Sequence, residues 1–493
     1  MTTFTVIKLN ETHLRVECDA EIVLELHEHF TFIVKNYQFT PSFKSGEWDG
    51  KIHLFNKRTR TIYLGLLSEV KSFANKFGYS VIEQGFDKDE LIEDAIESVI
   101  RTYPLHKDIK LRDYQLASAR YFIKKRRAVI LSSTGSGKSL IIFLATQWYI
   151  MNYDKKVLII VPTLSLVEQM KKDFLFYSDA VDQNIIHLIY GGKGKIIPPE
   201  AKIIISTWQG IYKLDQEWFK DFEMLIADEC HQYKAPALIA TAEKCVNAKW
   251  RLGTTGTLDG LEISELTIRG LFGDIYKTIS THALQQRGYL AGLDIKHIVL
   301  SYGLNTKQLF KKQCKTYQDE INFISTHEAR NNFISKIIVN QKGNTLVLFN
   351  RISGYGRRLE NNIKILLGEE ESNKRLFFVY GGTDVEERER IREIVEKEKD
   401  IILLASIGVF STGINMKEIH TVIFPFSMKS RIRVLQSIGR GLRISQDKTN
   451  TTLIDIADEL SIKNYSMIHA AERLKIYQEE KFNIKKIGVH LND

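Results

Sequence analysis

The stretch AVILSSTGSGKSLIIFLATQWYI, residues 128–150, decides the fold class. A short apolar run comes first, a segment rich in Gly and Ser follows, and a longer run without Gly or Pro ends the stretch. A strand, a glycine-rich loop and a helix in this order provide the context of a phosphate-binding loop. A strand in that position is buried on both faces of a parallel sheet, so the stretch predicts an α/β fold.

The loop spans residues 132–139, and its residue types suit the binding of a nucleoside triphosphate. Glycines allow backbone N–H groups to point at phosphate oxygens, and the positive end of the following helix adds to the attraction. Lys138 supplies a point charge for the outer phosphates, and Ser139 offers a hydroxyl to Mg²⁺. The general motif opens with Gly, whereas this loop opens with Ser132. We expect ATP to contact Thr134, Gly135, Ser136, Gly137, Lys138 and Ser139.

Two series of short apolar runs, separated by longer amphipathic stretches, occupy most of the chain. Runs rich in Val, Ile and Leu without strict alternation are typical of strands in parallel sheets. The first series predicts strands at residues 128–132, 156–162, 202–207, 224–229 and 249–255. The second series predicts strands at residues 344–350, 375–380, 400–406, 421–426 and 451–456. The pattern indicates two doubly wound parallel-sheet domains.

The chain length of 493 residues is enough for about three domains. We expect a small N-terminal α+β domain that binds nucleic acid at residues 1–95 and a first lobe at residues 96–258. A connection with one strand at 294–300 leads into the second lobe, and the two together span residues 259–460. The remaining residues, 461–493, predict a helix that packs on the second lobe.

The composition limits the classes of partner and compartment. The chain carries 69 Lys and Arg against 60 Asp and Glu, and the formal net charge of +9 favours a polyanionic partner such as nucleic acid. The cysteines lie far apart without a C-x-x-C pair, which argues against a zinc site and a disulfide framework. The first residues lack a basic-then-apolar pattern and no run of about 18 apolar residues occurs, so we expect neither secretion nor a membrane span. We expect a monomeric cytoplasmic protein with no membrane partner.

Two carboxylates, Asp228 and Glu229, follow the apolar run MLIA. Ligand sites of α/β proteins form at the carboxyl edge of the sheet, where these side chains would lie. Asp228 is suited to hold Mg²⁺ through its water shell, and Glu229 is suited to orient and deprotonate an attacking water. Together with the phosphate-binding loop, this pair predicts a site that hydrolyses ATP.

A phosphate-binding loop that ends in GSGKS, followed by DECH at residues 228–231, resembles the DExH branch of superfamily 2 helicases. The resemblance covers both lobes and implies that each is a RecA-like domain. It also implies that Arg112 and Gln115, in the segment LRDYQ, recognise adenine.

The second lobe carries further elements of this resemblance. The segment QSIGRGLR resembles the family element that supplies Gln436, Arg440 and Arg443 to catalysis. The two arginines lie three residues apart, so on a helix they share one face. Guanidinium groups there would neutralise the charge that develops on the γ-phosphoryl group. The segment ASIGVFSTGIN resembles an element that touches both ligands, and it places Gly413 at the nucleotide.

The same resemblance assigns residues to coupling and to nucleic-acid contact. His231, Thr255 and Thr257 would link the nucleotide state to the bound strand. Residues at strand ends and helix starts would hold backbone phosphates, which allows movement without sequence preference. These residues are Thr163, Ser165, Thr207, Trp208, Asn350, Arg351, Ser411 and Thr412. Each of them also fits the ordinary role of a helix cap.

The N-terminal domain offers a second surface for nucleic acid. Lys44, Lys51 and Arg58 belong to a basic segment that we expect to bind a duplex or a fork. Three rings are interleaved with these charges, namely Phe43, Trp48 and Phe55. Such rings either stack on bases or form the core of their own domain, and here we expect the core.

The small N-terminal domain together with TGSGKS, DECH, GVFSTGIN and QSIGRGLR resembles the UvsW family of large tailed phages. This resemblance implies an ATP-dependent DNA helicase or translocase, with ATP and Mg²⁺ as cofactors. Its implied substrates are branched DNA, such as forks and junctions, in recombination, repair and replication. Three alternatives stay open: a restriction-type DNA translocase, an RNA helicase, and a clamp or annealing factor that uses ATP as a switch without separating strands.

Overall fold

A computed structural model describes residues 3–34, 37–86, 96–191, 194–350, 352–369, 372–411, 416–426, 430–442 and 448–492. The chain divides into two compact units. The first holds Met1–Ser132 and Gly137–Thr278, and the second holds Ser133–Ser136 and Ile279–Asp493. Within the described ranges, no helix is long and apolar enough to cross a bilayer.

The first unit begins with a small α+β domain. Its strands are β1 (Thr3–Lys8), β2 (His13–Glu17), β3 (Thr31–Ile33), β4 (Lys51–His53), β5 (Thr61–Tyr63) and β6 (Ser80–Gln84). Its helices are α1 (Ala20–His29), α2 (Pro41–Lys44) and α3 (Leu67–Lys76). The main sheet has the order β5-β2-β1-β6, and β3 pairs with β4 in a separate ribbon. Leu26 of α1 and Phe73 of α3 share one apolar core with Val6 of β1.

The rest of the first unit is a doubly wound lobe. Its strands are β7 (Arg127–Ser132), β8 (Lys156–Val161), β9 (Ile186–Ile189), β10 (Ile203–Thr207), β11 (Phe222–Asp228), β12 (Trp250–Thr255) and β13 (Ile275–Ile279). Its helices are α4 (Ile96–Thr102), α5 (Asp113–Lys125), α6 (Lys138–Asn152), α7 (Leu164–Tyr177), α8 (Trp208–Ile211), α9 (Gln216–Phe219), α10 (Pro236–Lys244) and α11 (Glu262–Phe272). Among the described residues, the sheet order is β13-β7-β12-β11-β8-β10-β9, and the six strands after β13 are parallel to their neighbours.

Both faces of this sheet are covered, which explains the continuous apolar runs in the sequence. Ile130 and its neighbour Val129 point to opposite faces and enter two different apolar cores. Helix α6 lies in the first of these cores, and all of its residues from Leu140 to Tyr149 are buried. Burial of the helix next to the phosphate-binding loop fixes the position of that loop.

The N-terminal domain packs tightly on this lobe. A Cβ atom on Gly65 would lie 2.2 Å from the backbone oxygen of Arg269, so only glycine allows the observed approach. The Tyr63 hydroxyl donates to the Glu243 carboxylate at 2.8 Å. These contacts make the N-terminal domain and the first lobe parts of one compact unit.

The second unit is another doubly wound lobe. Its strands are β14 (Gly292–Tyr302), β15 (Thr345–Phe349), β16 (Arg375–Val379), β17 (Ile401–Ser406), β18 (Thr421–Phe424), β19 (Asn450–Glu459) and β20 (Asn483–Leu491). Its helices are α12 (Thr281–Gln286), α13 (Leu304–Gln313), α14 (Tyr317–Thr326), α15 (Glu328–Val339), α16 (Arg357–Glu369), α17 (Val385–Lys397), α18 (Ile407–Ser411), α19 (Arg431–Gly441) and α20 (Tyr465–Glu479). Within the described residues, the parallel sheet has the order β16-β17-β15-β18-β19-β14-β20.

Two buried ion pairs tie helices to strand β19, which lies next to the central strand of the sheet. The Arg330 Nε atom lies 2.6 Å from Asp458 Oδ1, and the Arg473 Nη2 atom lies 2.8 Å from Asp455 Oδ1. All four side chains are fully buried. The pairs therefore hold α15 and α20 in place where an apolar contact would give less directional packing.

Two sequence expectations about the organisation of the chain require correction. Strand β14 lies inside the second sheet, between β19 and β20, and is not part of a separate connection. Residues 461–493 contain the expected helix, α20, but also the edge strand β20. All but the last residue of this strand are exposed or half-buried, so its sequence NIKKIGVHL lacks the apolar run of a buried strand.

The boundaries of the lobes also differ from the expectation. Strand β13 joins the first sheet, which therefore extends beyond residue 258. Its sequence IYKTI is only half-buried, as expected for a strand at the sheet edge. The expected boundary at residue 95 lies outside the described residues.

Candidate nucleotide site and nucleic-acid contacts

The phosphate-binding loop connects β7 to α6, as the sequence predicts. Gly135 and Gly137 have φ angles of 83° and 82°, in the left-handed region that favours glycine. Ser136 is buried, and its N–H donates to the Ser133 backbone oxygen at 3.1 Å. Lys138 and Ser139 begin α6, so both side chains leave from the positive end of a helix.

Gln115 lies directly against the phosphate-binding loop. Its side-chain oxygen accepts the backbone N–H of Arg112 at 3.0 Å. A Cβ atom on Gly137 would lie 2.4 Å from the Gln115 side-chain nitrogen, which is a second reason for glycine there. The Arg112 guanidinium donates to the Tyr114 hydroxyl at 2.8 Å. Recognition of adenine by Arg112 and Gln115 stays a prediction.

The two acidic residues lie at the carboxyl end of β11, where the chain turns sharply. Glu229 has a φ angle of 52°, a left-handed conformation that is uncommon for a residue with a side chain. Asp228 Oδ1 accepts hydrogen bonds from the Thr254 hydroxyl at 2.8 Å and from the Glu229 N–H at 3.0 Å. Burial and the adjacent Glu229 raise the pKa of Asp228, while the Lys138 ammonium and these hydrogen bonds oppose the rise. A bound cation would favour the ionised carboxylate.

Glu229 connects the phosphate-binding loop with the predicted coupling residues. Its Oε1 atom lies 3.9 Å from Lys138 Nζ, and its Oε2 atom lies 3.2 Å from His231 Nδ1. The Thr255 hydroxyl oxygen lies 2.9 Å from His231 Nδ1 and 3.3 Å from Glu229 Oε2. Lysine, carboxylate, imidazole and hydroxyl therefore form one continuous network in the first lobe.

Thr257 joins this network through its backbone. Its carbonyl oxygen accepts a hydrogen bond from the Thr255 hydroxyl at 3.0 Å. Its own hydroxyl is buried and has no hydrogen-bond partner among the described residues. The predicted contribution of the Thr257 side chain is thus not seen in these contacts.

The oxygen donors at this site suit Mg²⁺. Both hydrogen bonds to Asp228 engage Oδ1, which leaves Oδ2 for a cation. Ser139 contributes a hydroxyl, and this hydroxyl lies 2.6 Å from that of Tyr177. In the described residues no group of three or more His, Cys, Asp or Glu side chains could hold a metal. Magnesium commonly uses one or two protein oxygens together with substrate phosphates and water, so this donor set fits Mg²⁺ with ATP.

The predicted catalytic residues of the second lobe lie on α19 and just beyond it. Gln436 is half-buried within α19. Arg440 belongs to the backbone of the same helix, but its side chain is outside the description. Arg443 and Gly413 lie outside the described residues. The assignment of Arg440 and Arg443 to the γ-phosphoryl group stays a prediction.

The predicted nucleic-acid contacts in the lobes differ in accessibility. Thr163 precedes α7, and its hydroxyl lies 3.0 Å from that of Ser165. Thr207 is buried, and Trp208 is half-buried against an apolar core, so their contact with nucleic acid stays a prediction. Asn350 is exposed after β15.

Three other predicted contacts are not fully described. The side chain of Ser411, at the end of α18, is not described. Arg351 and Thr412 lie outside the described residues.

The basic face of the N-terminal domain is exposed as expected. Lys44, Lys51 and Arg58 are all exposed. The expectation for the rings holds for Phe55, which is fully buried in the core of the domain. Phe43 and Trp48 are only half-buried, and the Trp48 indole N–H donates to the Lys51 backbone oxygen at 2.7 Å.

Sequence reasoning missed two aromatic residues. Phe39 is 76% exposed in the segment that joins β3 to β4. The sequence does not distinguish exposed from buried rings in this basic segment, since Phe55 lies in the same segment and is buried. Tyr177 contacts Ser139, and no motif marks it because it lies 38 residues away along the chain.

Comparison with known proteins identifies the family. The model for the res subunit of type III restriction enzymes matches residues 108–260, and the helicase conserved C-terminal domain matches residues 329–445. The model for the N-terminal domain of DNA helicase UvsW matches residues 6–83. The chain is 33% identical to the ATP-dependent DNA helicase uvsW of Enterobacteria phage T4, over 97% of this chain and 98% of that protein. The chain belongs to the UvsW family of superfamily 2 helicases.

A solved structure and a second relative were also compared with this UvsW family member. The crystal structure of T4 UvsW is 30% identical, covers 99% of each chain and has a TM-score of 0.50. The DNA 3'-5' translocase XPB2 of Sulfurisphaera tokodaii is 26% identical over 79% of this chain and 91% of that protein. The expected fold of two RecA-like domains with a small N-terminal α+β domain is thereby confirmed.

Proposed function

We propose that this UvsW family member is an ATP-dependent DNA helicase that acts on branched DNA and uses Mg²⁺ with ATP. The observation that carries the proposal is the network in the first lobe that runs from Lys138 through Glu229 to His231 and Thr255. A phosphate-binding lysine and a carboxylate base supply the hydrolysis. The imidazole and the hydroxyl connect that base to β12, and this connection would couple ATP hydrolysis to movement along DNA.

Each residue of the network has a distinct task in hydrolysis. Lys138 places its positive charge on the outer phosphates, and Glu229 accepts a proton from the attacking water. Glu229 is positioned for this by His231 and Thr255, which contact the same carboxylate oxygen. Arg440 and Arg443, from the second lobe, neutralise charge on the γ-phosphoryl group.

Asp228 and Ser139 hold the cation in this proposal. Bound Mg²⁺ neutralises phosphate charge and orients the triphosphate. Asp228 is kept in place by the hydrogen bond from Thr254, so its free oxygen has a fixed direction. Arg112 and Gln115 would recognise adenine, and Gln115 lies against Gly137 of the phosphate-binding loop.

The protein contacts the sugar-phosphate backbone of DNA, so the helicase has no sequence preference. Thr163 and Ser165 in the first lobe and Asn350 in the second hold the tracked strand. The exposed Lys44, Lys51 and Arg58 of the N-terminal domain bind the duplex arm of a fork. We assign the domains as predicted, except that the first lobe includes β13 and the second lobe includes β14 and β20. We also propose a monomer that works in the cytoplasm, which is the host cytoplasm if a phage encodes the protein.

A comparison of DNA structures tests the choice of substrate. The ATPase rate of the full chain would be measured with single strands, duplexes, forks, four-way junctions and RNA at equal nucleotide concentration. We expect forks and junctions to stimulate ATP hydrolysis most, since both present duplex arms at a branch point, which single strands and linear duplexes lack. Stimulation by RNA that equals or exceeds that of every DNA would contradict the proposal.

A further inference from the structure

The Ser139 hydroxyl has a partner that lies outside the sequence elements assigned above. Its oxygen lies 2.6 Å from the hydroxyl oxygen of Tyr177. Ser139 is the second residue of α6, and Tyr177 is the last residue of α7. Tyr177 is only 9% exposed and Ser139 is half-buried, so this hydrogen bond is partly shielded from water. A short hydrogen bond in such surroundings orients the serine more strongly than an exposed one would.

Packing holds the Tyr177 ring in position. The ring meets Phe143 edge to face, with centroids 5.5 Å apart. Phe143 lies four residues after Ser139, so the two side chains share the face of α6 that meets α7. The Tyr177 backbone oxygen also accepts the N–H of His106 at 2.9 Å. The phenol is therefore placed by its surroundings and does not need the serine to hold it there.

The chemistry of a serine that ligates a cation explains why such a partner is useful. A hydroxyl that directs its oxygen lone pairs at a cation must donate its proton elsewhere. The Tyr177 hydroxyl oxygen lies at hydrogen-bonding distance and can accept this proton. Partners of this kind fix the orientation of metal ligands and influence metal affinity.

We propose that Tyr177 is a positioning residue that orients the Ser139 hydroxyl toward the cation of the nucleotide site. The inference rests on the proposed function, in which Ser139 holds Mg²⁺ with ATP. Tyr177 touches neither the cation nor the phosphates and acts only through Ser139.

Tyr177→Phe isolates the hydroxyl, because it keeps the ring that packs on Phe143. The measurements are the affinity for fluorescent ADP with Mg²⁺ and with EDTA, and the Mg²⁺ concentration for half-maximal ATPase activity. Mg²⁺ should increase the affinity for ADP in both proteins, and we expect this increase to be about tenfold smaller in Tyr177→Phe than in the wild type. The half-maximal Mg²⁺ concentration should rise by about the same factor, while affinity in EDTA stays unchanged.

Tyr149→Phe is the matched control. Tyr149 lies on the same helix as Ser139, is fully buried and has a hydroxyl without a hydrogen-bond partner among the described residues. Its loss removes the same atom from the same core without touching Ser139. We expect Tyr149→Phe to show the wild-type dependence on Mg²⁺ in both measurements.

A double substitution tests whether Tyr177 acts through Ser139. In a Ser139→Ala background, Tyr177→Phe should have no further effect on ADP binding, since coupled residues are not additive. The inference is overturned if Tyr177→Phe matches wild type, or if it weakens Mg²⁺-dependent binding equally in the Ser139→Ala background. Failure of the proposed function is a separate result, in which the wild-type chain gains no affinity for ADP from Mg²⁺ and hydrolyses no ATP.

Discussion

Replacement of Glu229 by glutamine is the sharpest chemical test of the nucleotide site. Glu229→Gln keeps the shape of the side chain and its contact with Thr255 but removes the proton acceptor. Loss of a general base costs about 10² to 10⁴ in rate, which corresponds to about 3 to 5 kcal/mol in the barrier. We therefore expect the rate of the chemical step to fall by that factor.

The structure also predicts that Glu229→Gln leaves nucleotide binding nearly intact. The carboxylate lies 3.9 Å from Lys138 Nζ, and the two side chains are 21% and 14% exposed. A partly exposed pair at that distance contributes less than about 1 kcal/mol, so nucleotide affinity should change by less than about fivefold. Lys138 itself remains free of any steric change and still reaches the phosphates.

Single-turnover phosphate release and fluorescent-nucleotide binding, both with single-stranded DNA present, separate these two effects. Glu217→Gln is the control, since Glu217 is a surface carboxylate of the same lobe paired with Lys220 at 2.6 Å. The reasoning is refuted if Glu229→Gln hydrolyses ATP within about fivefold of wild type. It is also refuted if nucleotide affinity falls a hundredfold, because Glu229 would then act in binding.

Three further predictions concern coupling, stability and DNA binding. Thr255→Val removes the hydroxyl beside Glu229 and His231. The rate of fork unwinding should fall about tenfold more than the rate of ATP hydrolysis, as expected for the loss of one hydrogen bond to a charged group. Equal losses of both rates would contradict a coupling role. Asp455→Asn leaves the buried Arg473 without its counter-charge, so chemical denaturation should show a loss of about 3 to 5 kcal/mol in the free energy of unfolding of the second lobe. Burial raises the pKa of Asp455, but the Arg473 charge together with the hydrogen bonds from His297 and Arg473 holds the pKa below its usual value. This stabilisation is therefore present above about pH 4 and is lost as the pH falls below it. A wild-type denaturation midpoint for Asp455→Asn would show that the pair adds nothing. A triple variant with Ala at Lys44, Lys51 and Arg58 should bind forks with a weaker salt dependence. The slope of log affinity against log salt concentration should be smaller by about one for each lost phosphate contact. An unchanged slope in a fluorescence titration would remove these residues from the interface.

The sequence was sufficient for the parts of the site that depend on local order. The strand, loop and helix around Lys138 can be predicted because the motif and its supporting burial lie within one short segment. Asp228 and Glu229 follow a buried strand, and parallel strands place their carboxyl ends at one edge of the sheet. The grouping of these residues thus follows from sheet topology.

Features that depend on packing between distant segments were not predictable. The contact between Ser139 and Tyr177 requires the relative position of two helices, which no periodicity specifies. The burial of Thr207, which we predicted to contact nucleic acid, was also not predictable. A hydroxyl at the end of a β-strand can either face a ligand or pack inside the protein, and the sequence does not distinguish the two. Strand β20 escaped prediction because an exposed edge strand lacks the apolar pattern of the strands inside the sheet.

Strand displacement from a labelled fork tests the central claim most directly. Wild type and Lys138→Ala would be compared with and without ATP, and annealing of complementary strands would be followed in the same samples. We predict ATP-dependent unwinding by wild type and none by Lys138→Ala. Unwinding at the wild-type rate by Lys138→Ala would contradict the site, and annealing without unwinding by both proteins would show a clamp in place of a motor.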